Sequence, residues 1–178
     1  MKYFDELKRS MTWLGEQQKS YFIGQSVQYE GTAMFNTLID VPMEKRLELP
    51  VVEEMQMGMS IGLALEGFIP ISIFPRLNFL LLAVNQLVNH LDKISLMSKG
   101  GYQPKVIIRT GIGSEVPLDP FFQHKGDFTR PLQSMLKTVE VIKLEEPEDI
   151  FSAYEYAYNR DDGRSTLLIE VSDYLNSK

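Results

Sequence analysis

The sequence predicts an α/β fold, a single three-layer domain with a mostly parallel sheet of about six strands and helices on both faces. Short apolar segments alternate along the chain with longer segments that have helical periodicity, and this order is typical of parallel sheets. The segment Lys105–Thr110 has a continuous apolar centre, as expected for a strand covered on both faces. A length of 178 residues fits one domain.

In the first half of the chain, apolar residues recur at spacings of three and four near the start, which predicts an amphipathic opening helix. Gly58 and Gly62 fall on one face of a later predicted helix, which indicates close packing of its backbone, and Gly67 ends that helix. The predicted elements are, in order, a helix over 4–14, a strand over 21–23, a short strand at 51–52, a helix over 53–66, a strand over 69–74 and a helix over 78–98.

In the second half, a long irregular segment, 111–127, follows a predicted central strand. Ligands of open α/β sheets bind beyond the carboxyl ends of the strands, so this segment is a candidate functional loop. The predicted elements are a strand over 105–110, a helix over 132–136, a strand over 139–143, a helix over 148–160 and a strand over 166–171.

Composition excludes several classes of protein. The chain has no cysteine and two histidines, so we expect neither a disulfide framework nor a metal site. A net charge of −6 disfavours nucleic-acid binding. The most apolar stretches are interrupted by polar residues before they reach the length of a membrane span, and the start lacks the apolar segment of a signal peptide. We therefore expect a cytoplasmic protein without a membrane partner.

The acid–base candidates are few. Glu53 and Glu54 open a predicted helix, where carboxylates also occur because they stabilise the helix dipole. His124 lies in the candidate loop and is the stronger functional candidate of the two histidines. His90 lies within a predicted helix among apolar neighbours, where a structural role is the simpler interpretation.

The run 53–71, with the sequence EEMQMGMSIGLALEGFIPI, resembles the corresponding stretch of transketolases and of beta subunits of 2-oxo acid dehydrogenases. In that family it belongs to the pyrimidine-binding domain for thiamine diphosphate. The resemblance extends from about Ser20 to about Val171. Its further matching segments are 22–25 with Gly31, 49–53, 77–79, Asn85-Gln86, Asn89, 107–109, Gly111 and Gln123-His124.

The resemblance implies a role for each matching residue. Glu53 matches the family's catalytic glutamate, which hydrogen-bonds the pyrimidine N1′ and must be partly desolvated to share a proton there. Phe79 matches the aromatic ring that stacks on the pyrimidine, and Phe74 is a weaker cofactor-binding candidate. His124 matches a catalytic histidine that approaches oxygens of the substrate. Glu54 falls at a variable position and is predicted to be structural.

Two departures from the family pattern shape the prediction. The diphosphate–magnesium motif, Gly-Asp-Gly followed further on by Asn, is absent, because Gly126-Asp127 is followed by Phe128. The family's C-terminal domain also has no counterpart before Lys178. We therefore expect residues 1–178 to be one thiamine diphosphate pyrimidine-binding domain, with an N-terminal helix within 1–19, no diphosphate-binding domain and no C-terminal transketolase domain.

The resemblance thus predicts the pyrimidine-binding subunit of a split thiamine-diphosphate enzyme that makes or breaks a carbon–carbon bond next to a carbonyl of a small keto substrate. A separate diphosphate-binding, alpha-type subunit would hold the magnesium, in an α2β2 assembly or around a homodimer. Three alternatives remain open: a non-catalytic regulatory or binding subunit of a thiamine-diphosphate enzyme, a subunit of a two-chain 2-oxo acid decarboxylase, and an unrelated flavodoxin-like binding module.

Overall fold

Every neighbouring pair of strands in the central sheet is parallel, and the strands follow the spatial order β2-β1-β3-β4-β6-β5. The computed structural model describes residues 2–113, 115 and 119–172. The strands are β1 Ser20–Gly24, β2 Arg46–Glu48, β3 Ile69–Phe74, β4 Ile107–Ile112, β5 Glu140–Leu144 and β6 Thr166–Val171. The predicted sheet of about six strands is confirmed, and it is parallel throughout.

Helices cover both faces of the sheet. The α-helices are α1 Tyr3–Glu16, α2 Ala33–Asn36, α3 Glu53–Leu65, α4 Leu77–Leu80, α5 Asp92–Met97, α6 Thr129–Met135 and α7 Pro147–Asn159. The 3-10 turns are Met43–Lys45, Leu81–Ala83 and Phe121–Gln123, and a π-helical segment spans Gln86–Leu91. The predicted helices at the start of the chain, after position 52 and after position 147 are confirmed.

Two hydrophobic cores lie on opposite faces of the sheet, which confirms the three-layer architecture. Helices α1 and α7 pack on the first core, and α3, α4, α6 and the helical segment after α4 pack on the second. Consecutive strand residues alternate between the cores, so that Ile107 belongs to the first and Ile108 to the second. This alternation explains why the central strands are continuously apolar in sequence.

The strand predicted at Val51 and Val52 is wrong. Val51 is largely exposed in a bend, and the strand lies a few residues earlier, at Arg46–Glu48. Proline at position 50 cannot donate a hydrogen bond to a sheet, and it disfavours a strand there. The strand Arg46–Glu48 was not predicted because two of its three residues are charged. Both charged side chains form hydrogen bonds with backbone groups.

The helix predicted over 78–98 is present at nearly the predicted length, but it is not a regular α-helix. The helical path runs from Leu77 to Met97 and includes a 3-10 turn and the π-helical segment. It ends as predicted at Gly100, whose φ of +81° favours glycine. Residues 114 and 116–118 of the predicted irregular segment lie outside the described residues.

Among the described residues, none packs closely against Gly58 or Gly62, although close packing had been predicted. A Cβ added to either glycine would meet no heavy atom within 4 Å. This face of α3 is therefore open. Among the described residues, no helix is long and apolar enough to cross a membrane, and no group of three or more His, Asp or Glu side chains could hold a metal ion.

Candidate functional site

Four side chains follow four neighbouring strands at the carboxyl edge of the sheet. Glu53 comes after β2, Gln25 directly after β1, Phe79 after β3 and His124 after β4. Because these strands are adjacent and parallel in the order β2-β1-β3-β4, the side chains that follow them line one edge of the sheet. They form two contacting pairs, Glu53 with Gln25 and Phe79 with His124.

Glu53 is the first residue of α3, and only 3% of its surface is exposed. The Nε2 atom of Gln25 donates a hydrogen bond to its Oε1 atom at 3.1 Å. Among the described residues, no other group donates a hydrogen bond to this carboxylate. An ionised carboxylate accepts several hydrogen bonds, so Glu53 keeps capacity for a bound molecule. Its place at a helix N-terminus favours the negative charge.

Glu54 points away from Glu53 and has a different function. It is exposed, and it accepts hydrogen bonds from Asn85 Nδ2 at 3.2 Å and from Gln86 Nε2 at 3.3 Å. These bonds connect the start of α3 to the helical segment after α4. Adjacent residues of a helix point about 100° apart, which separates the two carboxylates. The geometry agrees with the structural role predicted for Glu54.

A cavity of about 820 Å³ opens beside Glu53. Its wall is formed mainly by apolar side chains from the start of α3 and from the 3-10 turn after α4. The lining residues are Val52, Glu53, Glu54, Met55, Gly58, Met59, Leu82 and Gln86. An apolar wall with one buried carboxylate suits a flat heterocycle that offers one ring nitrogen to hydrogen bonding. An apolar wall with one buried carboxylate therefore fits the aminopyrimidine ring of thiamine diphosphate.

The rings of Phe79 and His124 pack edge to face, with centroids 5.0 Å apart and planes at 68°. The loop that carries His124 is attached to α4, because Asn78 Nδ2 donates to the carbonyl oxygen of Gln123 at 3.2 Å and Asn78 Oδ1 accepts from the amide of Gly126 at 3.3 Å. The Nδ1 atom of His124 is buried and has no hydrogen-bond partner among the described residues.

The two pairs do not touch: within the described residues, no hydrogen bond or ring contact joins Glu53 to Phe79 or His124. The structure also separates the two predicted stacking residues. Phe79 is half-buried at the carboxyl edge, whereas Phe74 is completely buried in the second core and has no exposed surface for a bound ring. The geometry therefore favours Phe79 over Phe74, and both roles stay predictions.

Gln25 was missed as a site residue, although it lies in a segment that carries the family resemblance. The signal was its place directly after a buried strand and Gly24. Glu48 was missed too, because it lies in the strand that the apolar pattern did not reveal. Its carboxylate accepts hydrogen bonds from the backbone amides of Ser26, Val27 and Gln28 at 2.8, 2.7 and 2.8 Å. This contact fixes the turn that follows Gln25.

Comparison with known proteins gives the following relations. No family model matches the chain. It is 32% identical over 112 residues to the mitochondrial pyruvate dehydrogenase E1 component subunit beta of Saccharomyces cerevisiae, covering 61% of this chain and 30% of the relative. It is 29% identical over 109 residues to the corresponding subunit of Cyanidium caldarium, covering 58% of this chain and 33% of the relative. The chain thus spans about a third of the length of these relatives.

A solved structure of a split-gene transketolase, an inactive beta4 tetramer, matches 94% of this chain and 50% of its own chain with a TM-score of 0.71. At 15% sequence identity, this likeness concerns the fold. It agrees with the sequence similarity, which independently relates the chain to the same group of enzymes. The chain is therefore similar in sequence to part of pyruvate dehydrogenase E1 beta subunits and has the fold of a split-gene transketolase chain, in agreement with the resemblance to pyrimidine-binding domains of thiamine-diphosphate enzymes.

Proposed function

We propose that this chain is the pyrimidine-binding subunit of a split thiamine-diphosphate enzyme and that Glu53 is its catalytic carboxylate. The observation that carries the proposal is the state of Glu53, which is buried at the edge of an apolar cavity with one hydrogen-bond donor. The reaction class is cleavage or formation of a carbon–carbon bond next to a carbonyl, as in transketolase or 2-oxo acid dehydrogenase chemistry.

The residues of this chain would hold the pyrimidine half of the cofactor. When bound, thiamine diphosphate supplies the carbon nucleophile for this chemistry. Glu53 would hold and release a proton at the pyrimidine N1′ atom, for which a carboxylate in a dry environment is suited. The apolar side chains Val52, Met55 and Leu82 would exclude water from the ring.

His124 would act on the side of the substrate. The edge-to-face contact holds the imidazole of His124 in one orientation, and the attachment of its loop to Asn78 supports that position. His124 would then hydrogen-bond oxygens of a keto substrate. The exposed part of the Phe79 ring is available to stack on the pyrimidine, which is the role that the resemblance gives it.

The proposed partner is a diphosphate-binding, alpha-type subunit that holds the magnesium ion. We place the ion on the partner because the sequence lacks the Gly-Asp-Gly motif with which the family binds the diphosphate and magnesium. The open face of α3, with exposed Met55 and Met59 beside Gly58 and Gly62, offers an apolar surface for association, and Leu82 of the 3-10 turn after α4 adds to it. The similar split-gene transketolase chain is an inactive beta4 tetramer, which suits a chain that associates with itself and needs a second subunit for activity.

The proposal is tested by the exchange of the cofactor C2 proton with deuterium in the complex of this chain with its diphosphate-binding subunit. Glu53→Gln keeps the size of the side chain but cannot hold a proton, and we expect exchange to slow by about 10²–10⁴-fold. Glu54→Gln is the matched control and should leave exchange unchanged. If Glu53→Gln exchanges at the wild-type rate, the catalytic proposal is wrong and a regulatory subunit becomes the better interpretation.

The split between two subunits has its own test. Titration calorimetry of the isolated chain with thiamine diphosphate and magnesium should give weak binding, because the diphosphate and its cation supply much of the affinity. Addition of the diphosphate-binding subunit should make binding tight. Tight, magnesium-dependent binding by this chain alone would contradict the split site.

A further inference from the structure

We infer that Gln25 is a positioning residue that decides which oxygen of Glu53 carries a proton, and that Glu48 holds Gln25 in place. This inference rests on the proposed function and deepens it. Gln25 Nε2 donates to Oε1 of Glu53 at 3.1 Å, and no described residue donates to Oε2. A proton on Oε1 would face the N–H of the amide, which is unfavourable. A proton delivered to Glu53 would therefore be placed on Oε2, the oxygen that no described residue contacts.

The backbone around Gln25 is built to place this amide. Gly24 has a φ of +144°, and a Cβ there would lie 2.2 Å from the carbonyl oxygen of Ile73 and 2.8 Å from Nε2 of Gln56. Only glycine fits this close approach between the ends of β1 and β3. The amide of Leu49 donates to the carbonyl oxygen of Gly24 at 2.8 Å, which connects the same point to the segment after β2.

The turn after Gln25 is held from β2. The carboxylate of Glu48 receives the amides of Ser26, Val27 and Gln28, as described above. Ser26 has a φ of +60°, a conformation that a residue with a side chain adopts only when its surroundings compensate the strain. Three bonds to a charged acceptor supply that compensation. Glu48 thus acts on Glu53 through the turn and Gln25.

Arg46 strengthens the same turn from the other end of β2. Its Nε atom donates to the carbonyl oxygen of Val41 at 2.9 Å and its Nη1 atom to that of Val27 at 3.3 Å. It is buried, with 5% of its surface exposed. The charged residues of this short edge strand therefore organise the loop that presents Gln25, which explains why β2 is polar in sequence.

The main experiment measures C2 proton exchange in the complex with the diphosphate-binding subunit and compares two variants. Gln25→Met keeps the length of the side chain and removes its donor, and we expect exchange to slow by about 10–100-fold, the effect of a lost hydrogen bond to a charged group. Gln17→Met is the matched control, because Gln17 Nε2 donates to the carbonyl oxygen of Trp13 before the amino end of β1. It should exchange at the wild-type rate.

A double-variant cycle separates positioning from general loosening of the fold. Glu48→Gln should slow exchange in the same direction as Gln25→Met. The double variant Gln25→Met/Glu48→Gln should be no slower than Gln25→Met, since both changes act through one contact. Fully additive slowing, with exchange in the double variant reduced by the product of the two effects, would overturn the inferred route from Glu48.

A readout on the isolated chain is independent of the cofactor. The side-chain Nε2 resonance of Gln25, followed by NMR as pH is lowered, should shift when Glu53 takes up a proton, and Glu53→Gln should abolish that shift. If the Nε2 resonance of Gln25 shifts with pH in Glu53→Gln as it does in the wild type, the inference is overturned. If Gln25→Met exchanges normally while Glu53→Gln is slow, only this inference fails. If Glu53→Gln also exchanges normally, the proposed function itself fails.

Discussion

Two buried carboxylates of this chain, Glu53 and Glu170, have opposite surroundings. Glu170 in β6 is 1% exposed and receives the Nε atom of Arg109 at 2.6 Å, the Nη2 atom of Arg109 at 3.2 Å and the hydroxyl of Tyr154 at 2.6 Å. Glu53 is 3% exposed and receives one amide. Among the described residues, Glu170 thus receives three hydrogen bonds and Glu53 only one.

The pKa values of Arg109 and Tyr154, the two partners of Glu170, are both raised. Burial alone would lower the pKa of Arg109, but the adjacent Glu170 raises it above its ordinary value. Burial and the nearby charge of Glu170 raise the pKa of Tyr154 well above its ordinary value. Arg109 also donates to the hydroxyl of Thr37 at 2.8 Å. Arg109 therefore stays protonated and Tyr154 stays neutral, which suits a structural connection between β4, β6 and α7.

The largest expected effect comes from removing the cation that pairs with Glu170. Arg109→Met leaves Glu170 buried without its cation, and we expect the free energy of unfolding to fall by about 3–5 kcal/mol in urea denaturation. Glu53→Gln should change the same free energy by less than about 1 kcal/mol, because Glu53 has no buried cation to lose. Equal losses in the two variants would show that Glu53 is a structural carboxylate and would remove the contrast.

His124 resembles Glu53 in having unused hydrogen-bonding capacity, because its buried Nδ1 atom has no partner among the described residues. His124→Ala should leave cofactor affinity intact and slow turnover of the complex by about 100-fold, equivalent to about 2.7 kcal/mol in the activation barrier. His90→Ala is the control, since His90 is exposed on the helical segment after α4. Loss of the cofactor in His124→Ala would instead assign His124 to the pyrimidine pocket.

Asp92 is a further buried carboxylate, and like Glu170 it accepts several hydrogen bonds from this chain. It accepts the backbone amides of Lys137, Thr138 and Val139 at 2.8, 2.7 and 3.0 Å, and it contacts the ammonium group of Lys93. Burial opposes ionisation, but the Lys93 contact and these amides outweigh it and lower the pKa of Asp92 to about 2. Asp92 therefore attaches the start of α5 to the segment before β5.

The sign of its pH effect follows from the lowered pKa. A carboxylate with a lower pKa in the folded state stabilises the protein above the unfolded pKa, and this contribution disappears as pH falls from about 4 to about 2. We expect it to reach about 2 kcal/mol at neutral pH. Urea denaturation of wild type and Asp92→Asn at pH 6 and pH 2.5 measures it. The difference between the two proteins should become smaller by more than half of this contribution between pH 6 and pH 2.5, and a difference that does not depend on pH would contradict this account.

The sequence predicted what depends on apolar periodicity and missed what depends on polar contacts between distant segments. The alternation of strands and helices follows from burial alone, and Glu53 was found because its segment resembles a family. β2 was missed because Arg46 and Glu48 are charged, and their partners are backbone groups that no side-chain pattern reveals. The contact of Gln25 with Glu53 needed the strand order, which places β1 beside β2.

Gly58 and Gly62 teach the complementary lesson. Their spacing predicted close packing, but no described residue approaches them. The spacing of small residues therefore did not identify a packed surface among the described residues. The two glycines therefore resemble Glu53 in one respect, because no described residue contacts a Cβ placed on them or the Oε2 atom of Glu53.

The smallest expected effect comes from a substitution at Gly62, on the open face of α3. Gly62 lies exposed within α3, and a Cβ there would have nothing within 4 Å. Gly62→Ala should therefore raise the free energy of unfolding of the monomer by about 0.5–1 kcal/mol, because alanine loses less backbone entropy in a helix. The same methyl group should weaken association, measured by sedimentation, if another chain approaches this face. A stabilised variant that associates as strongly as wild type would place the interface elsewhere.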